Sequence, residues 1–158
     1  MRIDESAQPI FTAWIREQAR TEPRTLRTHR RPAQQDLRCH PDLCDRLEAA
    51  ATDLAGVKER FLCGFPVLLH ADGTVFGVAA GTTWMALRLP AIARGAVVRT
   101  KWGPRGLGGD WIDVDPWLAE METRDGTRRL RGWCHAAYHH TFRDPGGHPP
   151  GGPFTRPA

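Results

Sequence analysis

Apolar and polar residues alternate with a strand-like period over residues 57–90, and this stretch predicts the centre of the fold. Asp72-Gly73 within it is a strong hairpin signal, because both central positions of a type I′ turn need positive φ. A two-residue loop at this point fixes the register of the flanking strands. The predicted cross-strand pairs are Leu69 with Phe76 and Val67 with Val78.

A second break, at Gly81-Thr82, predicts a further strand. A two-residue loop there predicts two more pairs, Val78 with Met85 and Phe76 with Leu87. Read together, the two turns predict one apolar face, made of Val67, Leu69, Phe76, Val78, Met85 and Leu87. Additional strands are predicted at residues 57–63, 96–100 and 111–114, with Gly64 and Pro66 marking a bend or bulge after the first of them.

Three segments with helical spacing of apolar residues surround this sheet, at residues 7–20, 41–56 and 125–142. Pro41 suits the first position of the second helix, and Asp42 suits its positive end. The sequence therefore predicts an α+β fold: an antiparallel β-sheet of about four to six strands, helices packed on one face, and flanking N-terminal and C-terminal helices.

Length and composition place the chain among single-domain globular proteins, with 158 residues of which 41% are hydrophobic. We expect an N-terminal helix and basic linker over residues 1–38, an α+β domain over 39–142 and a disordered Pro/Gly-rich tail over 143–158. No apolar run is long enough to cross a membrane, and the N-terminus lacks the apolar stretch of a secretory signal. A cytoplasmic location without membrane contact is expected.

Positive charge is concentrated in one segment of the chain. Residues 20–38 hold six arginines against Glu22 and Asp36, a net charge of 6 − 2 = +4, which equals that of the whole chain. One hypothesis is a contact surface for an anionic macromolecule, either a protein or a nucleic acid. The candidate residues are Arg24, Arg27, Arg30 and Arg31. The alternative is a solvated basic linker, because no aromatic residues that would stack on bases lie between the arginines.

Cysteine and histidine occur together at two places, and thiolate with imidazole is a good donor set for zinc. The weak metal candidates are Cys39, Cys44, Cys134 and His135, accompanied by His40 and His139. No C-x-x-C motif is present, and helical spacing puts Cys134 on the apolar stripe but His135 and His139 on the opposite side. Buried thiols with surface histidines are the alternative, and we expect neither a metal nor another cofactor.

A catalytic site has few candidates in this sequence. No G-x-S-x-G motif is present, and Ser6 is the only serine. Cys63 can be viewed as a thiol nucleophile or as a buried strand cysteine. Three acidic residues, Asp110, Asp113 and Asp115, can be viewed as a cation site, although Asp115 before Pro116 is better explained as a helix cap.

Three strings resemble the TfoX N-terminal domain family: LAGVKERFLCGF at 54–65, LHADGTVFGV at 69–78 and WMALRL at 84–89. The resemblance covers residues 42–142, with 111–114 and 130–139 corresponding to the family's later strand and C-terminal helix. Cys63 stands where the family usually has Phe, and Phe65 where it has Gly. A luciferase-like small domain family is a competing resemblance.

The TfoX resemblance implies a small bacterial α+β domain without established catalytic residues. The family's best-known members regulate competence and carry an additional C-terminal helical domain, where this chain has its Pro/Gly-rich segment. The expected function is therefore a non-catalytic interaction or regulatory module with a macromolecular partner, and a homodimer is left open. A small metal-binding or thiol-dependent enzyme is the alternative.

Overall fold

A computed structural model describes residues 1–19, 26–93, 106–117 and 125–142 of this protein. The helices and strands are α1 (Pro9–Ala19), α2 (Pro41–Ala50), β1 (Lys58–Leu62), β2 (Phe65–Leu69), β3 (Val75–Ala80), β4 (Trp84–Arg88), β5 (Trp111–Val114) and α3 (Asp125–Thr141). The predicted α+β class with an antiparallel sheet is confirmed. The strand predicted at 96–100, Arg24 and the predicted tail at 143–158 lie outside the described residues.

The five strands form one antiparallel meander in the order β1-β2-β3-β4-β5. Every residue of β2 and β3 is buried, because the sheet is covered on both faces. Helices α2 and α3 pack on one face, over Leu68, Phe76, Met85 and Leu87. Helix α1 packs on the other face, over Val67, Leu69, Val78 and Trp84. The sheet thus has two apolar cores, one on each side.

The predicted strand register is correct at one pair and wrong elsewhere. Val67 does face Val78, but a bulge in β3 makes Leu68 face Gly77 and Leu69 face Val75, so that Phe76 has no opposite partner. The next loop has three residues instead of two, and the pairs across it are Gly77 with Leu87, Val78 with Ala86 and Ala79 with Met85. The predicted single apolar face is therefore split between the two cores.

The type I′ turn that the sequence predicts at Asp72-Gly73 is found instead at Cys63-Gly64. Leu62 pairs with Phe65 across this two-residue loop, and both loop residues have positive φ, 52° for Cys63 and 85° for Gly64. Asp72 has no positive φ, and only Gly73 of that loop is left-handed. The bend or bulge predicted after β1 is thus a tight hairpin turn.

The helices begin and face the sheet as their sequences predict. Pro41 occupies the first turn of α2, and the ring of His40 caps it by accepting a hydrogen bond from the Asp42 amide at 3.2 Å. The buried side of α2 contains Leu43, Cys44, Leu47 and Ala50, and that of α3 contains Leu130, Cys134 and Ala137. On α1 the buried residues are Phe11 and Ile15.

The segment before α1 is tied to the β2–β3 loop by one buried side chain. Gln8 donates from Nε2 to the Gly73 carbonyl at 2.9 Å and accepts from the Val75 amide, also at 2.9 Å. The Asp4 amide donates to the same Gly73 carbonyl at 3.1 Å. Within the described parts of the chain, no helix is both long and apolar enough to cross a membrane.

Candidate functional site

Residues 26–29 extend the sheet beyond β1. His29 and Phe61 exchange two backbone hydrogen bonds, His29 N–H to the Phe61 carbonyl at 2.8 Å and the reverse at 2.9 Å. On the far side of this segment, the Thr28 amide donates to the Met1 carbonyl at 2.9 Å. Leu26 and Thr28 are buried while Arg27 and His29 are exposed, which is the alternation of a strand. Residues 26–29 of the basic segment therefore continue the sheet.

This pairing places two arginines side by side. Arg2 lies directly opposite Arg27 in an antiparallel bridge, and both side chains are exposed. Directly opposed residues share one face of a sheet, so the two arginine side chains leave the sheet on the same side. Among the described residues, neither Arg2, Arg27 nor the exposed Arg30 has an acidic partner. We call Arg2, Arg27 and Arg30 the basic edge.

The four arginines that the sequence predicts to contact an anionic partner are found in different surroundings. Arg27 and Arg30 belong to the basic edge, while Arg31 turns to α2 and forms an ion pair with Asp45, Nη1 to Oδ1 at 2.5 Å. Arg24 lies outside the described residues. Arg2 was missed by sequence reasoning, because it joins this surface only through a bridge to a residue 25 positions later.

Cys39 and Cys44 form a buried thiol pair at the start of α2. Cys39 directly precedes the capping residue His40, and Cys44 follows that residue four positions later. Apolar side chains at these two positions often pack against each other and fix the direction in which the chain enters a helix. The hydrogen bond between the two thiols raises the pKa of Cys39 and lowers that of Cys44. Cys44 has no exposed surface, so a thiolate there has no access to a substrate.

The other metal candidates do not join this pair. Cys134 is fully buried on α3, and burial raises its pKa to about 12. His135 lies on the opposite side of the helix, where its Nε2 is 3.2 Å from Asp53 Oδ1. Within the described residues, no group of three or more Cys, His, Asp or Glu side chains is arranged to hold a metal ion.

The thiol candidate is partly buried, and each of the three acidic candidates has a structural partner. Burial raises the pKa of Cys63, which reduces the thiolate fraction that a nucleophile needs. Asp110 forms an ion pair with Arg88 and accepts a hydrogen bond from His140 Nε2 at 2.9 Å. Asp113 accepts a hydrogen bond from the Trp84 indole at 3.0 Å. Asp115 caps the following turn by accepting from the Trp117 amide at 2.9 Å.

Two ionisable side chains that sequence reasoning did not single out have pKa values shifted mainly by burial. Burial lowers the pKa of His70 to about 4, and its Nε2 lies 2.7 Å from the Thr141 hydroxyl of α3. Because that hydroxyl donates to the Ala137 carbonyl, the imidazole is the donor in this contact. Burial, reinforced by the neighbouring carboxylate of Glu48, raises the pKa of Glu59 to about 8.

Comparisons with known proteins give no relative for this chain: no family model, no curated protein and no solved structure matches it.

Proposed function

We propose that this protein is a non-catalytic interaction module, of the TfoX N-terminal type, that binds an acidic segment of a partner protein through the basic edge. One observation carries the proposal: the Arg2–Arg27 pair is exposed and lacks an acidic neighbour among the described residues. Like charges directly opposite each other in a sheet are destabilising, and an anion bound between them removes that cost.

The surroundings of the basic edge favour an acidic peptide over a nucleic acid. Segments 1–3 and 26–31 contain no Phe, Tyr or Trp on which a base would stack. The neighbouring outer surface of α2 carries Asp45 and Glu48, which repel a long phosphate backbone crossing from the sheet edge onto the helix. A short acidic segment fits the few unpaired arginines.

The TfoX part of the proposal is supported by the order of the elements. A helix precedes the strands, an Asp-Gly loop connects two of them, a strand begins at Trp111 and a helix follows it. This order is the one that the resemblance implies. It does not identify a pathway, so the partner is defined here only by its chemistry.

The test is fluorescence anisotropy with a labelled hexaglutamate peptide and, separately, a labelled 20-base-pair DNA duplex. We expect the peptide to bind, more weakly as salt increases, and the double variant Arg2→Gln/Arg27→Gln to lose about tenfold or more in affinity. The matched control, Arg128→Gln/Arg131→Gln, removes two exposed arginines of α3 and should leave affinity unchanged.

Two further outcomes decide the proposal. Tighter binding of the duplex than of the peptide assigns the edge to nucleic acid and overturns the choice of a protein partner. No binding of either ligand, or equal losses in both double variants, overturns the basic edge as the contact.

Arg27→Gln should also raise the free energy of unfolding by a few tenths of a kcal/mol, because it removes a like-charge pair.

A further inference from the structure

A cavity of about 370 Å³ lies between the C-terminal half of α2 and strand β1. Its polar lining includes Glu48 and Thr52 from α2 and its C-terminal turn, and Glu59 from β1, with Leu68 among the apolar residues. This volume is at the lower end of the range for small-molecule sites, so it suits a ligand of few heavy atoms. The cavity is separate from the basic edge, whose three arginines do not line it.

Glu59 occupies a position that the strand register reserves for an apolar side chain. It lies opposite Leu68 and two residues before Phe61, and both of these belong to the core beneath α2 and α3. Its Oε2 atom is buried and has no hydrogen-bond partner among the described residues. A buried acceptor without a partner costs stability, so retaining a carboxyl group here needs an explanation.

The charged side chains through which α2 acts on Glu59 are negative. From α2 come Asp45 and Glu48, and Arg31 from the neighbouring segment is engaged by Asp45. Lys58 and Arg60 alternate with Glu59 along β1 and also line the cavity. On the side of α2, the carboxyl group that lacks a partner therefore faces carboxylates, which attract a cation.

We propose that this cavity binds an organic cation through a primary ammonium group, which donates to Glu59 and is attracted by Glu48. An organic cation is favoured over a metal ion because the described residues provide no set of three metal-ligating side chains at this place. The ammonium group can belong to a free amine or to a lysine side chain of another protein, and the experiment below separates these sources.

Binding is coupled to a proton in this proposal. Because burial raises the pKa of Glu59 to about 8, the carboxyl group of the free protein is protonated at neutral pH. An ammonium group favours the carboxylate, so each bound cation displaces one proton from Glu59 to the buffer. The affinity should rise about tenfold for each pH unit between pH 6 and 8 and level off above that.

The test is isothermal titration calorimetry of the whole chain with n-butylamine, at pH 6, 7 and 8 and in two buffers of different ionisation enthalpy. Glu59→Gln keeps the shape and the neutral state of the side chain, so it should fold and lose at least tenfold in affinity at pH 8. The matched control is Glu17→Gln on the exposed side of α1, which should bind like the wild type. Butyrate and 1-butanol, which lack the ammonium group, should not bind.

Nα-acetyl-lysine amide is titrated alongside n-butylamine, and tighter binding of the lysine derivative assigns the ammonium to a partner chain. The Arg2→Gln/Arg27→Gln variant should bind both amines normally, so this site and the basic edge succeed or fail separately. Equal affinity of Glu59→Gln, affinity independent of pH, or no binding of either amine at about 10 mM, which lies within the affinity that the best small ligands reach for their size, would falsify the proposal.

Discussion

At the scale of single residues, Cys63 is the clearest case of a side chain in an unfavourable backbone conformation. It is the only residue other than glycine with positive φ among the described residues, and it sits in the first position of the β1–β2 turn. Such a conformation costs on the order of 1–3 kcal/mol for a residue with a Cβ atom. Asparagine tolerates it far better, and Asn-Gly is the preferred type I′ pair.

Cys63→Asn is therefore expected to raise the free energy of unfolding by about 1 kcal/mol in urea denaturation. Cys63→Val, with a β-branched side chain at positive φ, should lower it by at least as much. Because the two substitutions remove the same thiol, opposite signs isolate the backbone effect. A loss of stability in both would mean that packing of the sulfur outweighs the turn.

The same turn shows where residue-level prediction stopped. Asp72-Gly73 matched the known preference for the type I′ turn, whereas Cys63-Gly64 did not, and the structure uses the second. The β1–β2 pairing demands a two-residue loop at that point whatever its sequence, and a tertiary demand of this kind has no local signal. Glu59 did leave a local signal in the sequence. It occupies the same alternating positions as Val57 and Phe61, where the strand pattern otherwise has apolar side chains.

At the scale of elements, helices were predictable and strand register was not. The apolar stripes of α2 and α3 depend only on spacing within each helix, and both are buried as expected. The faces of β3 and β4 depend on counting residues across loops and across the bulge, where Phe76 and Gly77 lie on the same side. If one residue of a loop or bulge is missed in this count, every later side chain of the strand is assigned to the wrong face of the sheet.

The N-terminal segment offers an element-scale test through Gln8. Gln8→Ala leaves the buried Val75 amide without an acceptor, so the free energy of unfolding should fall by about 1–3 kcal/mol. Gln35→Ala, on an exposed part of the chain, is the control and should change it by less than about 0.5 kcal/mol. Equal, small effects in thermal or urea denaturation would contradict the role assigned to Gln8.

At the scale of the whole molecule, the buried His70 and the partly buried Glu59 dominate the pH dependence of stability between pH 4 and 8. The pKa of His70 is lowered from 6.5 to about 4, so its contribution is complete above pH 6.5 and is lost as pH falls towards 4. The pKa of Glu59 is raised from 4.5 to about 8, so its contribution is complete below pH 4.5 and is lost as pH rises towards 8. The two slopes oppose each other between pH 4.5 and 6.5.

Chemical denaturation at several pH values should therefore show nearly constant stability from pH 4.5 to 6.5 and a decline from 6.5 to 8. Glu59→Gln should abolish the decline and expose the His70 slope, a loss of up to about 3 kcal/mol as pH falls from 6.5 to 4. His70→Gln should keep a donor to Thr141 and leave only the Glu59 slope. A wild-type profile with its maximum at pH 8 would contradict the assignment of Glu59, and stability that does not fall between pH 6.5 and 4 in Glu59→Gln would contradict that of His70.

Whole-molecule organisation also explains why the candidate site was only partly visible in the sequence. The arginines at 27, 30 and 31 stand out by composition alone. However, Arg27 lies opposite Arg2, and the segment that carries Arg27 pairs with β1, which lies more than 30 residues later in the chain. Non-local strand pairing of this kind leaves no periodic signal that distinguishes it from a solvated linker.

The extension of the sheet by residues 1–3 and 26–29 has a consequence for how the protein moves. Strands β1 to β4 each pair with a neighbour across a short loop, whereas the extension is held by contacts between distant parts of the chain. Closing long loops costs more entropy than closing short ones, so we expect the extension to open before the hairpins do. A partner that binds only the closed edge shifts this local equilibrium towards closure. Binding at this edge and closure of the extension are then thermodynamically coupled.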